Sequence, residues 1–489
     1  MKISHFSCVR RSGPVDGNQT TNLGPIIAAF NPDMVIMGGD TPYMDQDQTT
    51  SPNIAGGSVL PKLDRGFTKS QFFQQMLQLF DTSKLSAILK CKDIRYIPSD
   101  HDLGNQDGAS SVTTSSFLGC INQQEVNAST KCFADAFKAV TKTDELQNSQ
   151  TLFTGLNNIR NPDNNDAGVT GEYPRWVANT VSGESNPWYD STHLPPAAED
   201  VNLYYPPLYW REGWTFAGVR NDATPDIEYF FIDTATRCDR FQKTIYANSR
   251  SSEASAANPT AWAAEVATIT NPRPFDNASP TAGGRTALGL IQLQWIKDRI
   301  RLSSAKVKII VCEKMFFQLG NEAALLGVTP GATNRPNNAN GINFYSKERD
   351  ELVQYIHDHA DDSGVTCSVL FISGDTHLPH IVNFAPAETF TASPSSPASS
   401  ITAFTKGFAN ICSSPVSMGI FAASSGADFT HTGVKWSRRS TAFTNITIDS
   451  AKLVVEFIDP WSGYSMCKAT MLAGQKYFST IADTVIKNV

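Results

Sequence analysis

The sequence is poor in charge, has no long apolar run, and has no cysteine pair at metal-finger spacing. Charged residues make up only 18% of its 489 positions, and acidic side chains outnumber basic ones by 47 to 40. Without a basic excess the chain lacks the broad positive face that general binding to nucleic acid or to an anionic membrane needs. A small phosphate group held in a pocket made locally positive by metal ions stays open. The low charge does not mean disorder, because 28 Phe and 8 Trp supply ample core. No apolar stretch approaches the ~20 residues needed to cross a bilayer, so no transmembrane segment is expected. The N-terminal stretch MKISHFSCVRRSG has no signal-peptide core. This leaves a cytosolic protein or one whose leader has been removed. Sparse lysine, abundant Ser, Thr, Asn and Gln, and sequons at Asn18, Asn127, Asn277 and Asn445 lean toward an extracellular or periplasmic protein.

There are nine cysteines and no CxxC pair, which argues against a zinc finger or a thioredoxin-type site. If one is a ligand, the rest suffice for up to four disulfides in an oxidising compartment. Cys312 and Cys367 sit in apolar runs and read as buried free thiols.

Five short apolar runs read as buried strands: Met34–Met37, Tyr229–Ile232, Val307–Val311, Val369–Ile372 and Leu453–Phe457. Helical periodicity separates some of them. Residues 70–81 place Phe73, Met76, Leu77 and Phe80 on one stripe. Residues 287–300 do so with Leu288, Ile291, Trp295 and Ile296, with Arg299 at the edge. Residues 346–360 begin on a Ser cap and turn Leu352, Tyr355 and Ile356 inward. Strands alternating with helices indicate α/β layers. There is no internal repeat and no clear linker, so the chain reads as one domain, 1–489. Polar insertions fall at about 104–190, 245–286 and 385–405.

Three polar clusters follow apolar runs: GGDTPYMD at 38–45, RYIPSDHDLGNQDG at 95–108 and VLFISGDTHLPHI at 369–381. A fourth candidate is Cys8, after a first strand. Carboxylates suit hard cations, phenolate suits Fe(III), and imidazole and thiolate suit softer metals. Asp40, Asp100 and Asp375 are the carboxylates; His101 and His377 the imidazoles; Tyr43 a phenol; Cys8 a thiol. Any one cluster alone reads as a loop start. Together, each at the end of an apolar run, they point to a metal site.

The order and content of these clusters resemble the metallophosphoesterase superfamily, and within it the PhoD-like alkaline phosphatase and phosphodiesterase branch. The matching features are Ser7-Cys8, Gly39-Asp40-Thr41-Pro42-Tyr43, the helix at 70–81, and Ser99-Asp100-His101-Asp102 with Asn105. FFIDTATR (230–237), ALGLIQLQWI (287–296) and FISGDTHLPH (371–380) follow in the expected order. Two departures stand out. Pro98-Ser99 precede Asp100 where the branch has Trp-Asp, and Ala235 stands at an arginine position, with Arg237 two residues later.

The resemblance implies a four-layer sandwich of two mixed β-sheets flanked by helices. It implies Asp40 bridging two metals, with Cys8, Tyr43 and His377 completing an Fe(III) site. Asp100, Asn105 and Asp375 would serve Ca(II), other divalent metals being possible, and His101 would assist the phosphate or leaving group. The activity implied is hydrolysis of a small phosphoester, as a monoesterase or a diesterase; the oligomeric state is not legible. Two alternatives differ in kind. A purple acid phosphatase shares GDxxY but ends in Gly-His-x-His, unlike Gly374-Asp375-Thr376-His377. An inactive binding or structural protein would keep the fold, and the departures at Ser99 and Ala235 favour it. Asp45 and Asp102 read as bystanders. His380 either nears the site or faces solvent. Arg10 or Arg11 could clamp a phosphate, and His431 could line the mouth.

Overall fold

The computed structural model describes residues 1–9, 22–40, 85–90, 93–97, 99, 210–234, 287–288, 290–314, 316, 346–374, 377–389, 401, 403–413, 415–416, 433–438 and 440–484. Within them the strands are, in chain order, β1 (Lys2–Phe6), β2 (Met34–Met37), β3 (Asp93–Tyr96), β4 (Trp210–Trp214), β5 (Ile227–Ile232), β6 (Val307–Cys312) and β7 (Ser368–Ser373). Then come β8 (His380–Phe384), β9 (Phe408–Cys412), β10 (Val434–Ser437), β11 (Phe443–Ile448), β12 (Lys452–Ile458), β13 (Ser465–Leu472) and β14 (Thr480–Asp483). The helices are α1 (Leu23–Phe30), α2 (Leu290–Leu302) and α3 (Ser346–His359), with a short 3-10 helix at Leu85–Lys90.

The strands make two seven-stranded mixed sheets. The first runs β14-β13-β12-β11-β1-β2-β3 and the second β10-β8-β9-β7-β6-β5-β4. In the first, β1, β2 and β3 are parallel and β11 to β14 antiparallel. In the second, β5, β6, β7 and β9 are parallel. The sheets pack face to face: Ile3, Met34, Ile36, Val455 and Phe457 of one meet Tyr229, Phe231, Ile309, Val311 and Leu370 of the other. The alternate residues of β5 to β7, such as Phe230, Ile310 and Phe371, form a separate core with Trp295, Ile296, Leu352 and Ile356 of α2 and α3. These strands are buried on both faces, which is why they read as largely apolar runs, broken only by Glu228 and Lys308. α1 crosses between the parallel β1 and β2, as a parallel pair requires.

All five expected strands form, most extended by one or two residues at an end. The helix expected from 287 begins at Leu290. In α3, Leu352 and Ile356 are buried as expected, but Tyr355 is only half-buried and Val353 takes its place in the core. Tyr355 instead stacks near His359 and lies under Lys297 Nζ. The helix expected at 70–81 and the insertions at 104–190 and 245–286 lie outside the described residues. The insertion at 385–405 is pinned at its root by a bridge between Thr389 and Ala403.

Two expectations are corrected. Cys312, Cys367 and Cys467 are buried free thiols, which leaves too few cysteines for a four-disulfide framework. The sequon residue Asn445 lies inside β11, buried, and its Oδ1 accepts a 2.6 Å hydrogen bond from Ser4 Oγ. A glycan on that nitrogen is incompatible with the strand.

Polar ties hold the layers. Lys308 on β6 is wholly buried, and its Nζ donates to the carbonyls of Ile300, Ser303 and Ala360, at 2.9, 2.8 and 2.5 Å. It thereby satisfies carbonyls at the C-terminal ends of both α2 and α3, where a cation also suits the helix dipole. At the paired edges of the two sheets, Arg95 of β3 donates to Glu212 of β4. Glu212 also accepts from the indoles of Trp210 and Trp214, at 3.0 and 3.2 Å. At the other edge Trp436 Nε1 of β10 donates to Asp483 of β14 at 3.4 Å. No helix among the described residues is long and apolar enough to cross a membrane.

Candidate metal centre

The parallel strands of both sheets deliver their carboxyl ends to one side of the sandwich. β1 leads to Ser7-Cys8, β2 to Gly38-Gly39-Asp40, β6 to Glu313-Lys314 and β7 to Gly374 and His377. The parallel ladder continues past the strands and fixes these loops. Gly38 N–H donates to Phe6 O at 2.6 Å, Cys8 N–H to Gly39 O at 3.1 Å and Val9 N–H to Asp40 O at 3.1 Å. In the other sheet Gly374 N–H donates to Glu313 O at 3.1 Å.

Cys8 Sγ, an Asp40 carboxylate oxygen and a His377 ring nitrogen lie within 4.8 Å of one another. Cys8 and Asp40 are buried and His377 is half-buried. Cys8 Sγ is 3.5 Å from Asp40 Oδ2. All three have left-handed backbone, with φ of 56°, 54° and 53°. That conformation disfavours any residue with a Cβ and concentrates at functional sites. Two glycines make the turns possible. Gly39 has φ +89°, and a Cβ there would lie 2.7 Å from Ser99 Cβ. A Cβ on Gly374 would lie 2.5 Å from Ser7 Oγ. A thiol, a carboxylate and an imidazole at this spacing are a donor set that fits a transition metal. A thiolate beside a carboxylate is repulsive unless a cation lies between them.

Of the residues expected here, the structure brings together Cys8, Asp40 and His377. Tyr43, Asp100, His101, Asn105 and Asp375 lie outside the described residues, as do Asp45, Asp102, Arg10, Arg11 and His431. His380 does not face solvent. It is wholly buried on β8, its Nδ1 donates to Leu378 O at 2.8 Å, and burial pushes its pKa down to about 4.

Glu313 was not anticipated. It is wholly buried, accepts from Thr234 Oγ1, and burial pushes its pKa up to about 8. Its Cβ would be 3.2 Å from a Cβ on Gly39, and its carbonyl holds Gly374. It therefore packs under both glycine turns. Its signal was the same as for the others, a polar pair ending an apolar run. The motif residue Gln292 has a structural role: its side chain accepts from Asp233 N at 2.7 Å and donates to Asp233 O at 2.8 Å. Trp295 of the same motif packs edge-on to Phe230.

The chain is thus a sandwich of two mixed sheets with a Cys, Asp and His cluster at the carboxyl ends of parallel strands. A solved structure of PhoD shares that fold. It aligns with 100% of this chain and 72% of its own, at 13% identity and a TM-score of 0.54. Residues 248–472 match the family model of PhoD-like phosphatases. A structure of GAP50, the anchor in the inner membrane complex of Plasmodium, aligns with 98% of this chain and 90% of its own. At 9% identity and a TM-score of 0.35 it carries no argument. No curated protein matches the chain.

Proposed function

We propose that the chain is one catalytic unit that hydrolyses phosphoesters at a two-metal centre. The observation that carries this is the convergence of Cys8, Asp40 and His377 within 4.8 Å, each on a left-handed backbone. Cys8, Asp40 and His377, with Tyr43, would hold Fe(III); Asp40 would be shared with Ca(II), bound by Asp100, Asn105 and Asp375. Such a pair supplies positive charge to the phosphate oxygens and acidifies water. The chain's own part is to fix these donors before substrate arrives. Buried Cys8 and Asp40 exclude solvent from one wall, and half-buried His377 marks the open side. His101 is the residue we assign to the leaving group or the phosphate.

The test is hydrolysis of p-nitrophenyl phosphate and bis(p-nitrophenyl) phosphate, with metal analysis. Chelation is expected to abolish turnover, and Asp40→Asn and His377→Ala to lower kcat/KM on the order of 100-fold or more. Tyr43 on Fe(III) is expected to give a visible absorption band that Tyr43→Phe removes. Full activity in Asp40→Asn or His377→Ala sinks the reading. Two tightly bound metals without turnover would favour an inactive scaffold instead.

A further inference from the structure

The candidate ligands come from both sheets, Cys8 and Asp40 from one and His377 from the other. Their spacing depends on how the sheets are held at this edge. His5 spans the gap. It lies on β1 on the same face as Ile3, which packs between the sheets. Its Nδ1 shares a hydrogen bond with Ser413 Oγ, just past the end of β9 in the opposite sheet. Its Nε2 presses on Gly38, where a Cβ would lie 2.3 Å away. One ring thus touches the turn that delivers Asp40 and the sheet that delivers His377, from the strand that delivers Cys8. Ser413 in turn donates its N–H to Ser373 O at 3.2 Å, on the residue before Gly374. Ser7 reinforces the seam, its Oγ filling the space beside Gly374 while its carbonyl accepts from Val416 N at 3.3 Å.

The ring is wholly buried, and burial pushes its pKa down to about 3, so it is a neutral imidazole. Its Nε2 has no hydrogen-bond partner among the described residues. An orphaned buried nitrogen is costly, and it is tolerated where the shape of the ring and its other nitrogen matter.

We propose that His5 is a positioning residue of the metal centre, which through Ser413 sets the distance between the Cys8–Asp40 edge and the His377 loop. This rests on the metal-centre reading above. Groups that orient metal ligands commonly change affinity by roughly 10- to 100-fold when removed.

The experiment uses the full chain, stripped of metal and titrated with cobalt(II), reading the thiolate-to-cobalt absorption. His5→Leu and Ser413→Ala are each expected to weaken binding about tenfold or more and to shift the band. The double variant should be no worse than His5→Leu alone, because the two residues form one tie. His5→Asn, whose amide reaches the position of Nδ1, should recover most of the affinity. Wild-type affinity in Ser413→Ala, or additive losses in the double variant, would overturn the proposal. If His5→Leu does not fold, Ser413→Ala and His5→Asn decide, since both disturb core volume little. A wild-type chain with no thiolate band would sink the metal-centre reading itself and take this inference with it.

Discussion

Cys8, Asp40 and His377 each carry backbone strain that a glycine would avoid, and none of them is a glycine. The left-handed turn costs roughly 1–2 kcal/mol per residue with a Cβ, so the strain is concentrated where side chains must meet. Buried histidines show the opposite economy, with neutrality in place of charge. His380 and His5 are pushed down to about 4 and about 3 by burial. In the unfolded chain each titrates near the ordinary value of about 6.5. As pH falls, the unfolded chain therefore takes up the proton first. The stability linked to these groups is complete above pH of about 6.5 and is lost as pH falls toward the folded values. Urea unfolding from pH 7 to 4.5 should show stability declining with acid. His380→Met should make that decline shallower, by up to about 1.4 kcal/mol per pH unit. An identical slope in the variant counts against this account.

Elements show a similar economy. One lysine, Lys308, ends two helices at once through three carbonyls. Lys308→Met keeps most of the stem and strands those carbonyls, so a loss on the order of 2–4 kcal/mol is expected in urea unfolding. A loss under about 0.5 kcal/mol would mean that the helix ends find other partners. The strands that were legible in the sequence are those buried on both faces, β5 to β7, together with β2 and β12. β4, with sequence WREGW, was not legible, because its buried Glu212 is neutralised by Arg95 from a distant strand. β8, with sequence HIVNF, was not legible because His380 and Asn383 look like loop residues until their partners are known. The site divides in the same way. Cys8, Asp40 and His377 each close a run whose polarity changes abruptly. Glu313-Lys314 does so as well, but an adjacent acid and base look like a solvated turn. Only the packing of Gly39 and Gly374 around Glu313 reveals that it is interior.

Across the whole molecule, two sheets meet over an apolar seam and are tied at their edges. The Arg95–Glu212 pair is wholly buried. Arg95→Met leaves the Glu212 carboxylate without its main counter-charge, and a loss of roughly 3–5 kcal/mol is expected. Replacing both partners with apolar residues of similar volume should restore much of it. If the double variant is as unstable as the single one in urea unfolding, the pair is not the cause.

The two-sheet origin of the site has a further consequence, for the order of events in the life of the chain. Cys8 follows β1 and His377 lies 369 positions later, past β7, so no growing chain can assemble the donor set early. A cation that needs all three donors can be captured only after the sandwich has closed. On the proposed metal-centre reading, occupancy would then certify assembly, and by mass action the free cation concentration would set part of the stability of the closed form.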